Sequence, residues 1–296
     1  MQKPAARPGP GLTRRAMMAA GVVACALSIA RQRPAAAAGG LSFGLTPVFL
    51  DSDIQLLANL EAYLERATGG PVALVKRRTY QEITALLLTG QLDAAWICGF
   101  PFVQHADRLA LVGVPLFRGR PLYQSYVIVR EGAPARDFAD LRGGIHAFSD
   151  PESNSGFLVT RCLLADLGAT PDSFFSRVFF TYGHRNVIRA VAAGLAQSGS
   201  VDGYVWEVMK ETEPGLVGAT RVLRRSEWLG FPPVACLRSA AGQPGVSALA
   251  AALQGMAGDP LGRTVLAELR LDGFSAAEPA LFDGIAAKYA QVRESL

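Results

Sequence analysis

The sequence predicts an α/β protein built as two lobes, each a mainly parallel sheet flanked by helices. Three observations predict this. Short apolar runs alternate with segments whose apolar residues recur at helical spacing. Glycines and capping residues separate the two kinds of segment. A polar break at Glu131-Gly132-Ala133-Pro134 then divides one such series from a second.

Taken in order, Leu41-Ser42-Phe43-Gly44-Leu45 reads as a short apolar strand that ends at Thr46-Pro47. From Asp53, the positions Leu57, Leu60, Leu64 and Ala67 fall on one helical face, and Gly69-Gly70 stops that helix. Val72-Ala73-Leu74-Val75 is a buried strand. Thr79-Tyr80-Gln81-Glu82 is a capping box that opens a second helix, which stops near Gly90. Leu92 to Ile97 is the next strand, and this β-α-β-α-β rhythm calls for parallel pairing. Tyr123 to Arg130 is a further strand, with the crossing into the second lobe expected just after it. There, 144–148, 178–180 and 201–205 read as strands, and 155–167 and 184–195 as helices. The chain is expected back in the first lobe between Met209 and Trp228, finishing with helices near 247–256 and 279–293. The predicted division is 39–127 with 215–296 for lobe 1, and 128–214 for lobe 2.

The 296 residues carry 18% charged side chains and a net charge of +4, but the excess is local. Six of the 29 basic residues and none of the 25 acids lie in residues 1–38, leaving 23 against 25 for the remainder. No basic arm or stripe is left for nucleic acid, so no nucleic-acid partner is expected. Residues 1–38 read as an export address: a basic stretch with adjacent Arg14-Arg15, an apolar run from Ala16 to Ala30, and Ala36-Ala37-Ala38 before Gly39. The paired arginines suggest the twin-arginine route. Val22-Val23-Ala24-Cys25 also resembles a lipoprotein processing site, but the apolar run continues past Cys25, which favours simple cleavage. The expected location is therefore the periplasm. Cys98, Cys162 and Cys236 remain, an odd number with no metal-ligand spacing.

In such folds ligands bind beyond the carboxyl ends of the strands. That directs attention to Thr46–Ser52, Ile97–Phe102, Asp150–Gly156, Thr181–Arg185 and Asp202–Trp206. Thr46 opens the first of these loops and counts among the binding candidates. Ser153-Asn154-Ser155-Gly156 follows a strand and starts a helix, where unpaired backbone N–H groups and the helix dipole favour an anion. The same residues serve equally as an ordinary serine cap. His184 again opens a helix and could donate to an oxyanion or cap its own helix. Asp202 could accept from a protonated ligand or simply form a turn. Cys98 lies at a strand's carboxyl end, either as a soft ligand or as a small buried residue. No GxSxG, HExxH, Walker loop or GxGxxG after a strand is present, so no enzyme and no cofactor are expected.

At these residues the sequence resembles the phosphonate-binding family of periplasmic solute-binding proteins, which serve ATP-driven importers. The resemblance runs from Leu41 to Leu296. It is carried by Leu41–Pro47, Leu92–Trp96, Leu141-Arg142-Gly143 through Gly156, Gly183–Ile188, and Gly194 with Val201-Asp202-Gly203. It implies two α/β lobes joined by a two-strand hinge that close over a phosphonate, phosphite or phosphate-like oxyanion, with an ABC permease as partner. It further implies ligand contacts from Ser153, Asn154, Ser155, His184 and Asp202, and an aromatic contact from Phe102.

The sequence also departs from that pattern. Asn154 stands where threonine is common, Phe102 lacks a tyrosine hydroxyl, and Cys98-Gly99 brings a thiol to the ligand mouth. The thiol resembles sensory relatives that capture arsenite and signal to a membrane histidine kinase. That is the alternative reading, and it would rest on Cys98.

Overall fold

The computed structural model describes residues 40–46 and 54–294. The expected export address, with Arg14, Arg15, Cys25 and Ala36 to Ala38, lies outside the described residues. Among the described residues no helix is long and apolar enough to cross a membrane.

The first lobe begins β1 (Leu41–Leu45), α1 (Ile54–Thr68), β2 (Val72–Lys76), α2 (Tyr80–Leu88), β3 (Ala94–Trp96), α3 (Gly99–Gln104) and β4 (Leu109–Leu116). A two-residue strand, β5 (Leu122–Tyr123), then leads out. The second lobe comprises β6 (Ser125–Arg130), β7 (Ile145–Phe148), α4 (Val159–Asp166), α5 (Pro171–Phe174), β8 (Arg177–Phe180), α6 (His184–Ala192), β9 (Ser198–Asp202), α7 (Gly203–Thr212), α8 (Pro214–Val217) and β10 (Thr220–Arg225). The chain returns through β11 (Leu229–Gly230). It completes the first lobe with β12 (Val234–Leu237), α9 (Pro244–Gly255), α10 (Pro260–Leu269), β13 (Gly273–Ser275) and α11 (Asp283–Glu294).

The first sheet has the order β13-β4-β12-β3-β1-β2 and the second β10-β6-β9-β7-β8. Strands β2, β1 and β3 pair in parallel, as do β8, β7 and β9, where the βαβ rhythm requires it. The other pairings are antiparallel, so both sheets are mixed. Strands β6, β10 and β12 adjoin the interlobe crossings and join their sheets antiparallel. The hinge is β5 paired antiparallel with β11, Tyr123 opposite Leu229.

The crossings fall elsewhere than the sequence suggested. β6 starts at Ser125 and β10 ends at Arg225, both in the second sheet, so that sheet extends beyond 128–214 at each end. The Glu131–Pro134 segment is a tight turn within the second lobe, with Ala133 N–H donating to Arg130 C=O at 3.1 Å. Its Gly and Pro mark a chain reversal, which in sequence looks the same as a linker.

Capping explains several boundaries. Thr79 and Glu82 form the reciprocal capping box on α2 that the sequence predicts. Asp259 caps α10 through Leu261 and Gly262 N–H. Helix α11 spans the two lobes. It packs on α3 of the first and α4 of the second, where Cys162 Sγ donates to Lys288 C=O at 3.3 Å. Gln291 Nε2 donates to Asp166 Oδ1 at 2.7 Å in the same seam.

Candidate functional site

The site is built first from the segment after β7. Asp150 Oδ1 accepts from Glu152 N–H, which tightens the turn. Ser153 then caps the next segment, its Oγ accepting from Gly156 N–H at 2.9 Å. Asn154–Leu158 form a wide π turn, in which Leu158 N–H donates to Ser153 C=O, before regular helix resumes at α4. Such turns widen the helix entrance and recur at functional sites. Ser153, Asn154 and Ser155 are all fully buried. Gly156 is required by close approach: a Cβ there would overlap Ser149 Oγ and lie 3.0 Å from His184 Cε1.

His184 opens α6, and its ring is held from behind. Its Nδ1 accepts the backbone N–H of Asp202 at 3.0 Å. An accepting Nδ1 places the proton of the neutral ring on Nε2. Burial pushes the imidazole pKa down to about 3, so the ring is neutral at physiological pH. Nε2–H therefore presents a fixed donor, 3.2 Å from Tyr80 Oη on the first lobe. Tyr80, thus engaged as acceptor, keeps its own hydroxyl hydrogen to give. Asp202 itself caps α7, Oδ1 accepting from Tyr204 and Val205 N–H. Burial raises its carboxyl to about 7.

Three further hydrogen bonds tie the lobes across the site. Tyr80 N–H donates to Asp150 Oδ2 at 3.3 Å. Asn154 N–H donates to Cys98 Sγ at 3.2 Å. Asn154 Nδ2 donates to Tyr123 Oη, on the hinge strand β5, at 2.8 Å. Tyr80, Tyr123, Cys98 and Asp202 lie close enough that their ionised forms oppose one another.

The structure thus brings Ser153, Asn154, Ser155, His184, Asp202 and Cys98 into one buried cluster between the lobes. Cys98 is the N-cap residue of α3, and burial pushes its thiol up to about 12, so it stays protonated. Cys162 and Cys236 are free thiols on α4 and β12, so neither joins it. Among the described residues no group of three His, Cys, Asp or Glu is placed to hold a metal ion. Thr46 lies at the end of β1 with its hydroxyl buried and unpartnered among the described residues.

Phe102, expected as the first-lobe aromatic contact, is buried. It sits on α3, and its ring packs against Phe282, centroids 4.8 Å apart. Tyr80 and Tyr123 bring hydroxyls to the cluster from the first lobe and from the hinge. Neither tyrosine was legible as a site residue, because Tyr80 reads as the first turn of a helix and Tyr123 as a strand residue. Ser149 and Asp150 were also missed as individual contributors. Their position at the carboxyl end of β7 was the available signal.

Comparison with known proteins then identifies the lineage. The family model for the periplasmic substrate-binding protein of phosphonate ABC transporters matches residues 43–282. The chain belongs to this family. Membership makes it a substrate-binding component with a small-molecule ligand and a transporter permease as partner, working in the periplasm. The fold has solved counterparts. A binding protein component of an ABC phosphonate transporter from Pseudomonas aeruginosa superposes with a TM-score of 0.79 at 18% identity, over 86% of this chain and 87% of that one. PhnD1 from Prochlorococcus marinus, solved with methylphosphonate, gives 0.76 at 15% identity, over 86% and 98%. The aliphatic sulphonate binding protein SsuA from Escherichia coli gives 0.55 at 19%, over 86% and 91%. At these identities the counterparts speak to the two-lobed architecture.

Proposed function

We propose that this protein captures a small phosphorus oxyanion of the phosphonate, phosphite or phosphate class between its lobes and delivers it unchanged to an ABC importer. The observation that carries the reading is the fixed donor at His184. Its Nε2–H points at the first lobe beside the Tyr80 hydroxyl, in a buried cluster that also contains the π turn at Ser153, Asn154 and Ser155. Hydrogen bonds from buried donors to an ionised oxygen are short and strong, and a neutral imidazole supplies one without having to be charged. Ser149, buried with its hydroxyl unpartnered, adds another donor beside His184. Residues 1–38 fit this role as an export signal of the twin-arginine kind, removed after Ala38.

Thermal melting of the mature protein tests the reading, using methylphosphonate, phosphite, phosphate, sulfate and arsenite. A ligand that binds only the folded state raises the melting temperature. Stabilisation by a phosphorus oxyanion, with the ligand recovered intact, is the expected result. No shift with any phosphorus oxyanion sinks the proposal. A shift with arsenite alone that is lost in Cys98→Ala replaces it with a thiol site.

A further inference from the structure

We infer that Asn154 makes this site select an oxyanion that carries its own hydrogen, such as a hydrogen phosphonate, over a sulfonate of the same shape and charge. The inference rests on the function proposed above and narrows its ligand class.

The argument starts from the two ends of one amide. Asn154 is fully buried, and its Nδ2 is used by Tyr123 Oη at 2.8 Å. The Ser155 side chain also bonds Tyr123 in the sense that favours its ionised oxygen, as a donor. Tyr123 Oη accepts from both, so the amide stands with Nδ2 toward the tyrosine. The carbonyl end, Asn154 Oδ1, is then buried with no partner among the described residues.

Beside the carboxyls of Asp150 and Asp202, the cluster presents hydroxyl and imidazole donors. The Tyr80 hydroxyl, which accepts from His184 Nε2–H, presents its own hydrogen, and Ser149 Oγ is buried and unpartnered nearby. Ser153 Oγ accepts from Gly156 N–H and so retains its own hydrogen. Oxygen lone pairs on any tetrahedral oxyanion satisfy such donors equally well. Asn154 Oδ1 makes the opposite demand, because only a ligand hydrogen satisfies it. A monoanionic phosphonate keeps one P–O–H, whereas a sulfonate at neutral pH has lone pairs only. Bound in the same place, the sulfonate turns an oxygen toward a buried carbonyl oxygen, and both are left unsatisfied. Sites built to hydrogen-bond a ligand O–H reject analogues lacking it far more strongly than apolar pockets reject a methylene. A threonine hydroxyl at this position could rotate to give or accept, and would not impose the same choice.

The test is titration calorimetry of the mature protein with methylphosphonate and with methanesulfonate, repeated on Asn154→Thr. Wild type is expected to prefer methylphosphonate by about 10–100-fold, the range set by one unsatisfied buried acceptor. Asn154→Thr is expected to bind methylphosphonate still and to narrow that preference about tenfold. Equal binding of the two ligands by wild type overturns the inference while leaving phosphonate capture intact. Full discrimination retained in Asn154→Thr also overturns it, and moves the selectivity to another acceptor such as Asp202. Wild type that binds neither ligand removes the function proposed above, and this inference with it. The wild-type ratio requires no variant to fold.

Discussion

Replacing Tyr80 by Phe removes one oxygen from the centre of the interlobe seam and leaves the ring that fills it. The ring is almost fully buried, so the apolar packing of α2 is retained. The losses are the acceptor for His184 Nε2–H at 3.2 Å and the hydroxyl hydrogen that the arrangement leaves free for an anion. A hydrogen bond to a charged partner contributes about 1.5–3 kcal/mol, which corresponds to roughly 10–150-fold in Kd. The unliganded protein loses a neutral contact between lobes, at about 1 kcal/mol. At a methylphosphonate concentration of about 100 times the wild-type Kd, binding adds about 2.7 kcal/mol to wild-type stability. A variant that binds about 30-fold more weakly gains only about 0.9 kcal/mol at that concentration, so the ligand-induced Tm shift falls to roughly a third. Calorimetry gives the Kd and melting with and without ligand gives the shift. Tyr80→Phe with a Kd within about twofold of wild type would refute the placement of the Tyr80 hydroxyl at the ligand.

Three other variants address separate parts of the site. Gly156→Ala forces a methyl into Ser149 and against His184 Cε1. It is expected to cost about 1–3 kcal/mol in urea unfolding and to weaken ligand binding, and unchanged stability would mean that this loop is not closely packed. Asp202→Asn keeps the Oδ1 that caps α7 but removes a carboxyl raised by burial to about 7, against about 3.9 in an unfolded chain. A raised acid binds protons more tightly when folded. Wild type should therefore lose stability relative to Asp202→Asn as the pH rises from about 4 to about 7, with a constant difference above that. His146 and His184, both pushed down to about 3, act with the opposite sign, losing stability as the pH falls, so only the difference profile is diagnostic. A flat difference would contradict the buried, raised carboxyl. Cys98, buried between the lobes and protonated, should be alkylated by a maleimide only when the lobes part. In a Cys162→Ser, Cys236→Ser background, saturating ligand is expected to slow its labelling at least about tenfold, and an unchanged rate would show that the seam does not close on ligand.

How much of the fold and site is readable in the sequence depends on the distance over which each residue finds its partner. The α/β rhythm was legible because apolar spacing and caps act within a few residues, as at the Thr79–Glu82 box. Ser153, Asn154, Ser155, His184 and Asp202 were legible for a related reason. Each comes after a strand at the point where a helical turn begins, and the chemistry of a helix start is local. Tyr80 carried no comparable mark, since its partner His184 is 104 residues away on the other lobe. Asn154 and Tyr123 are 31 residues apart, joined only because the hinge strand passes beside the π turn. The packing of Phe102 on Phe282, far along the chain, is likewise hidden from the sequence. The departures from the family pattern at Asn154 and Cys98 prove to be neighbours, the backbone of one donating to the sulfur of the other. A change at either would alter both lobe closure and the set of donors and acceptors a ligand meets. The chemical selectivity of this chain is therefore best sought at that pair, where the two lobes touch.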